Sequence, residues 1–201
     1  MQSLPDTFAL ALEEERDLRG LHFSGDAAPE TRLEAVDLRD CTFSHCQLSD
    51  CRFQGTGFDH VTFEHCDLSG ATFLDGGLRQ VTFRDCRLLG AVFSGCVLNM
   101  TNFTDCSARY LNLSGCTVKA CRFQGGCFSG GSLAGCKCQK TAVQNCDFTR
   151  CDFSGTILSG FDFSTCSIDG AVWSLDKLHN MTVNMNQAVE LARLLGLNIV
   201  L

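Results

Sequence analysis

Proline is almost missing from this chain of 201 residues, with Pro5 and Pro29 its only two. No Gly/Ser-rich linker accompanies them, so nothing marks a boundary between independent domains. Long apolar runs are missing as well. No window approaches the roughly 18 apolar residues of a membrane-spanning helix, and no membrane partner is expected. Basic charge is scarce, with 16 Lys and Arg against 23 Asp and Glu and a formal net charge of −7. That balance argues against direct nucleic-acid binding, which needs clustered cations to displace counterions from phosphates. The opening MQSLPDTFALALEEERD carries acidic rather than basic residues ahead of any apolar run, unlike a secretory or transit leader. The expected setting is cytoplasmic.

What the chain does have is a period of five. Stepping from Leu33 through Leu38, Phe43, Leu48, Phe53, Phe58, Phe63 and onward to Trp173, Leu178 and Val183, every fifth residue is apolar. Phe8, Leu18 and Phe23 share the phase. The second regular position lies two residues earlier and is filled by small side chains, as in Cys41, Cys46, Cys51, Thr56, Val61, Cys66 and Ala71. Neither the 3.6 period of a helix nor the 2.0 period of a flat strand gives a strict five. A coil with sides five residues long does, each side turning one large and one small residue inward and three polar residues outward. Internal repetition of this kind marks a solenoid stabilised by stacking neighbours.

The 15 cysteines follow the same logic. Thirteen occupy the small inward position, Cys138 takes a central one, and Cys127 alone is expected to face outward. An odd count without export signals does not suit a disulfide framework. Their five-residue spacing follows from the period, whereas zinc motifs cluster cysteines two to four apart. Packing as small buried hydrophobes is the expected role. If residues twenty apart stack, His45, His65, Asp85 and Asp105 form a column, read here as a solvated polar ladder. No nucleophile–base set, phosphate loop or paired buried carboxylates emerges, so no catalytic residue, cofactor, metal or small-molecule substrate is expected.

The tandem motifs CDLSG, VTFRD, TNFTD and CDFSG resemble the pentapeptide-repeat family. The resemblance implies an all-β fold, a right-handed quadrilateral β-helix with four units per coil. We assign residues 1–185 to it, with a possible loop at 24–32 (GDAAPE and its flanks), and residues 186–201 to a C-terminal capping and dimerisation segment. In that segment Asn186 reads as an N-cap, Gln187 to Leu195 as a short helix, and Gly196 as its stop. Leu197, Ile199, Val200 and Leu201 form an apolar tail. Ala188, Leu191, Ala192, Leu194, Leu195, Leu197 and Ile199 are the expected dimer interface.

The ending LDKLHNMTVNMNQAVELARLLGLNIVL is similar to the C-terminus of the Qnr and MfpA group within that family. This likeness implies a C-terminus-to-C-terminus homodimer that engages DNA gyrase or topoisomerase IV and counters fluoroquinolones or related toxins. Qnr proteins interrupt their coils with two loops, whereas this repeat runs without a break, so it resembles the loopless kind. Partial imitation of DNA would place the acidic residues Asp37, Asp40, Asp50, Asp59, Glu64, Asp67, Asp75, Asp85 and Asp105 against the partner. The charge is uneven: Leu33 to Asp105 holds ten acidic and five basic residues, Cys106 to Val183 five acidic and seven basic. Direct shape-specific contact therefore stays open beside charge imitation. A scaffold that binds an unrelated protein is the alternative function.

Overall fold

The computed structural model describes residues 3–200. Its body is a four-sided parallel β-solenoid, and the inward residue at the centre of each pentapeptide defines its sides. One seven-stranded sheet carries Leu18, Leu38, Phe58, Leu78, Leu98, Val118 and Cys138. The adjoining seven-stranded sheet carries Phe23, Phe43, Phe63, Phe83, Phe103, Phe123 and Val143. A four-stranded sheet holds Leu33, Phe53, Phe73 and Phe93. The remaining side is knitted by single parallel bridges such as Gln47 to Asp67 and Asp67 to Arg87. Every pairing joins residues twenty apart, so a side chain always meets its counterpart one coil away.

The five-residue rule works because nearly every corner residue takes a left-handed backbone. Asp50, His65, Asp85 and Asp105 have φ between 50° and 56°, a region where Gly, Asn and Asp meet the least resistance. Between corners the alternation of the strand turns the central residue in and its two neighbours out. The largest central side chains stack: Phe43, Phe63, Phe83, Phe103 and Phe123 lie nearly parallel, with successive ring centroids 4.9 to 5.1 Å apart. Phe73 and Phe93 form a second stack, at right angles to the first where Phe83 meets Phe93 at 86°. Both arrangements are favourable for the aromatic quadrupole.

The small inward residues do more than fill space. Cys66 donates its S–H to the carbonyl of Phe43, Cys86 to Phe63, Cys106 to Phe83 and Cys116 to Phe93. Thr56 and Thr101 donate to Leu33 and Leu78 in the same way. Each bond spans 23 residues and satisfies a buried carbonyl of the coil below, which explains why Cys and Thr recur where Ala or Val would fit equally well. Burial also raises the Cys106 and Cys51 thiols to about 11 and keeps them protonated.

Three expectations need correction. Residues 24–32 are not a loop: Ala27 bridges Gln47, Ala28 is buried, and Ala28 and Glu30 donate backbone bonds to Gln47 and Ser49. This is an ordinary side of the first coil with a small residue at its centre. The residues before Leu18 are not β-helix either. Leu4–Glu13 forms a helix, α1, capped by Ser3, whose side chain accepts from the Asp6 N–H, with Pro5 in its first turn. Phe8 packs against Phe23 and Phe43 and closes the N-terminal end of the core. The C-terminal helix α2 spans Met185–Leu194 and is capped by Asn184, not Asn186. The cap moves because Asn184 and Gln187 form a reciprocal capping box, each side chain meeting the other residue's backbone N–H. Leu201, the end of the expected tail, lies outside the described residues.

Candidate functional site

No enclosed chemical site stands out, so two surfaces carry the question of function: the acidic sides and the C-terminal end. Among the described residues no group of three or more His, Cys, Asp and Glu side chains is placed to hold a metal ion, and no helix is long and apolar enough to cross a membrane. His45 and His65 stack with ring centroids 4.8 Å apart and planes 10° from parallel. Asp85 and Asp105 continue the same corner, with φ of 50° and 52°.

The nine candidate acidic residues do not gather on one face. Asp37 and Asp59 belong to the side of Leu38 and Phe58, Glu64 to the side of Phe63, and Asp67 to the bridged side. Asp40, Asp50, Asp75, Asp85 and Asp105 sit at corners. Most are engaged within the chain. Glu64 meets Arg84 at 3.3 Å, Asp67 meets Arg87 at 3.8 Å, and Asp59 pairs with Arg79, each pair one coil apart. The Arg79 guanidinium holds the Asp59 carboxyl below its ordinary range. Asp37 accepts from the Gly57 N–H at 3.0 Å and from Arg39 at 3.0 Å, and Asp40 lies 3.8 Å from Arg19.

The corner aspartates have a different engagement. Asp50, Asp75 and Asp105 each lay a carboxylate oxygen over the glycine one coil on. A Cβ at Gly70, Gly95 or Gly125 would fall within 2.0 to 2.2 Å of that oxygen. The Asp-over-Gly step is thus part of the stacking, and it leaves less free carboxylate than the sequence count implies. An arginine twenty residues after an acid was visible in the sequence, but it acquires meaning only once the coil length is known.

The C-terminal end is built differently. Gln187, the one buried residue of α2, donates its amide to the carbonyls of Phe163 and Cys166 at 2.9 and 2.7 Å. Asn184 donates to Ser164 at 3.0 Å. These bonds satisfy acceptors at the open end of the solenoid and fix where the helix sits. The rest of α2 is weakly covered: Leu191 and Ala192 are half-buried and Ala188 is exposed. Leu194, Leu195 and Leu197 are 55 to 62% exposed, while Ile199 is half-buried. Leu175, Leu178 and Val183 line a cavity of about 370 Å³ with Leu191 and Leu195. The expected interface residues therefore gather at one end, around an apolar groove.

No curated protein matches the chain in sequence. Among solved structures it is similar to a trypsin-treated variant of QnrB1, a plasmid-mediated fluoroquinolone resistance protein, at 22% identity. That alignment covers 92% of this chain and 97% of that one, with a TM-score of 0.43. It is also similar to HetL, a pentapeptide-repeat protein involved in heterocyst differentiation regulation from the cyanobacterium Nostoc sp. strain PCC 7120. Identity there is 13%, coverage 90% and 95%, and TM-score 0.31. A pentapeptide-repeat protein of the Arabidopsis thaliana thylakoid lumen aligns at 16% identity over 89% and 75% of the two chains, with a TM-score of 0.23. The sequence family described as pentapeptide repeats (8 copies) matches residues 17–55 and 127–170, and the pentapeptide repeat region matches 56–130. With contiguous matches from residue 17 to residue 170, and a coil that repeats every twenty residues over the same span, the chain belongs to the pentapeptide-repeat family.

Proposed function

We propose that this protein is a non-enzymatic binding rod that forms a homodimer through its C-terminal end. In this reading it engages DNA gyrase or topoisomerase IV and protects the enzyme from poisons such as fluoroquinolones or related toxins. The observation that carries it is the C-terminal end. The segment whose sequence resembles the topoisomerase-protecting group is folded as a short helix with its apolar side chains presented outward. An isologous contact there would bury Leu194, Leu195 and Leu197 against their own copies, which answers an apolar patch that a monomer seldom leaves open. A two-fold enzyme could then be met by both arms at once, gaining avidity from linkage.

Charge has a secondary part. Because arginines one coil away pair with Asp59, Glu64 and Asp67, partial DNA mimicry supplies long-range attraction, while shape complementarity of the sides supplies the contact. The test is a gyrase supercoiling and drug-stabilised cleavage assay with the purified protein titrated in. Fewer cleavage complexes in the presence of a fluoroquinolone support the reading. No change in supercoiling or cleavage at a large excess of protein over enzyme sinks it and leaves a scaffold for an unrelated protein.

A further inference from the structure

The column of small inward residues beside the bridged side is nearly all cysteine: Cys46, Cys66, Cys86, Cys106, then Gly126, then Cys146 and Cys166. Gly126 interrupts it and isolates the last two as a pair on adjacent coils. Their register is fixed by the neighbouring bridge between Asp147 and Ser167 and by the Ser167 N–H donating to the Cys146 carbonyl at 2.9 Å. This pair, like Cys46 at the other end of the column, which donates to Ser44, departs from the bonding pattern of the column's middle. Cys66, Cys86 and Cys106 each donate to a carbonyl 23 residues back. Cys146 instead donates to Gly125 and Gln144, and Cys166 donates to no carbonyl among the described residues.

Cys166 is also the end of its stack. On one side lies Cys146. On the other, past the last coil, a cavity of about 600 Å³ opens between Cys166–Ala171 and α2, with Cys166, Trp173, Gln187 and Leu194 among its walls. Cys166 is 7% exposed, whereas Cys86 and Cys106 are 1% exposed. The interior thiol of Cys106 is raised by burial, to about 11. Cys166 moves the other way, downward, because hydrogen bonding with Cys146 favours its thiolate more than burial disfavours it. The Cys146 thiol is correspondingly raised.

We propose that Cys146 and Cys166 form a hydroperoxide-sensitive dithiol at the C-terminal end of the rod, with Cys166 as the attacking thiol and Cys146 as the resolving one. The Cys166 sulfur attacks one peroxide oxygen, the O–O bond breaks, and the departing hydroxide takes a proton to leave as water. The S–H of Cys146 then attacks the Cys166 sulfenic sulfur, and the S–O bond breaks. The released hydroxide takes the Cys146 proton and leaves as a second water. The two sulfurs lose two electrons in total and the peroxide gains them. The spacing between stacked strands, about 4.8 Å, falls within the Cα separation that a disulfide spans. A thiol in the wall of an open cavity, with a depressed pKa and a resolving cysteine beside it, is the arrangement that makes such oxidation site-selective. The inference stands apart from any topoisomerase partner.

The test uses the full-length protein treated with about one equivalent of hydrogen peroxide, followed by thiol blocking, digestion and mass spectrometry. The expected first product is a peptide pair joined through Cys146 and Cys166. Cys166→Ser should abolish the link and leave Cys146 unmodified. Cys146→Ser should leave Cys166 trapped as a dimedone adduct. A hydroxyl is tolerated at this kind of position, since Thr101 and Thr156 occupy its equivalents and are buried. In the untreated protein, iodoacetamide should alkylate Cys166 faster than Cys106 at neutral pH. Oxidation of Cys127 or Cys138 while Cys166 stays free overturns the proposal. So does a Cys166 that reaches sulfinic acid in the native chain without linking to Cys146, or equal alkylation of Cys166 and Cys106.

Discussion

Each end of the rod carries a helix of ten residues, yet the two helices do opposite things. At the N-terminal end α1 buries Leu4, Thr7, Phe8 and Ala11, and the aromatic ring of Phe8 continues the core. At the C-terminal end α2 buries only Gln187 and is seated on the solenoid by polar bonds, with Leu191 half-buried and Leu194 largely exposed. A solenoid must cover its last coil at both ends. The contrast teaches that covering can be done with apolar packing, which closes a surface, or with a few hydrogen bonds, which satisfies the backbone and leaves an apolar surface for another molecule.

The largest effect that could break this comparison is at the closed end. Phe8→Ala should cost about 3 to 5 kcal/mol by opening a cavity against Phe23 and Phe43, read by chemical denaturation. A loss below about 1 kcal/mol would mean that α1 is an ornament and the two ends are alike. At the open end the polar seat should matter most. Gln187→Ala removes the side-chain donor to the Cys166 carbonyl and leaves the Phe163 carbonyl with only the Cys166 N–H; a loss of about 1 to 3 kcal/mol is expected, seen as early exchange of amide hydrogens in α2 and the final coil. If α2 stays as protected as before, the two bonds are not what holds it.

A smaller effect sharpens the account of the shaft between the ends. Cys106→Ala removes the donor to the Phe83 carbonyl and should cost about 1 kcal/mol. Cys106→Thr, which restores a donor at a position where Thr101 already makes the equivalent bond, should cost less. If the alanine and threonine variants unfold at the same denaturant concentration, the thiols act by packing alone.

The shaft was the legible part of the chain. A period of five with a small residue two before each centre placed Leu18 through Val183 on the correct side of the wall, because nothing but the repeat decides which side chain faces in. The repeat also misled where its phase persisted by coincidence. Phe8 falls on the count of five but sits in α1, and the helix signals were present in Ser3, Pro5 and Asp6, with Leu4, Phe8 and Ala11 one turn or two apart. Residues 24–32 looked like a loop because Pro29 and small Ala28 hide a regular side. The bond from inward Cys and Thr residues such as Cys86, Cys106 and Thr101 to a carbonyl 23 residues back was not legible, since it needs the coil length to the residue. The acidic residues were identified correctly as outward, but their arginine partners and the glycines beneath them appear only when the coils are stacked.

The account rests most heavily on the open end being an interface between two copies. Sedimentation equilibrium of the wild type beside a Leu195→Asp, Leu197→Asp double variant tests that directly. Both side chains are more than half exposed in the single chain, so the fold should lose no more than about 0.5 kcal/mol, while two charges in an apolar two-fold contact should prevent association. The account predicts a dimer for the wild type and a folded monomer for the variant. A wild type that stays monomeric at micromolar concentration, or a variant that dimerises as well as the wild type, would contradict it.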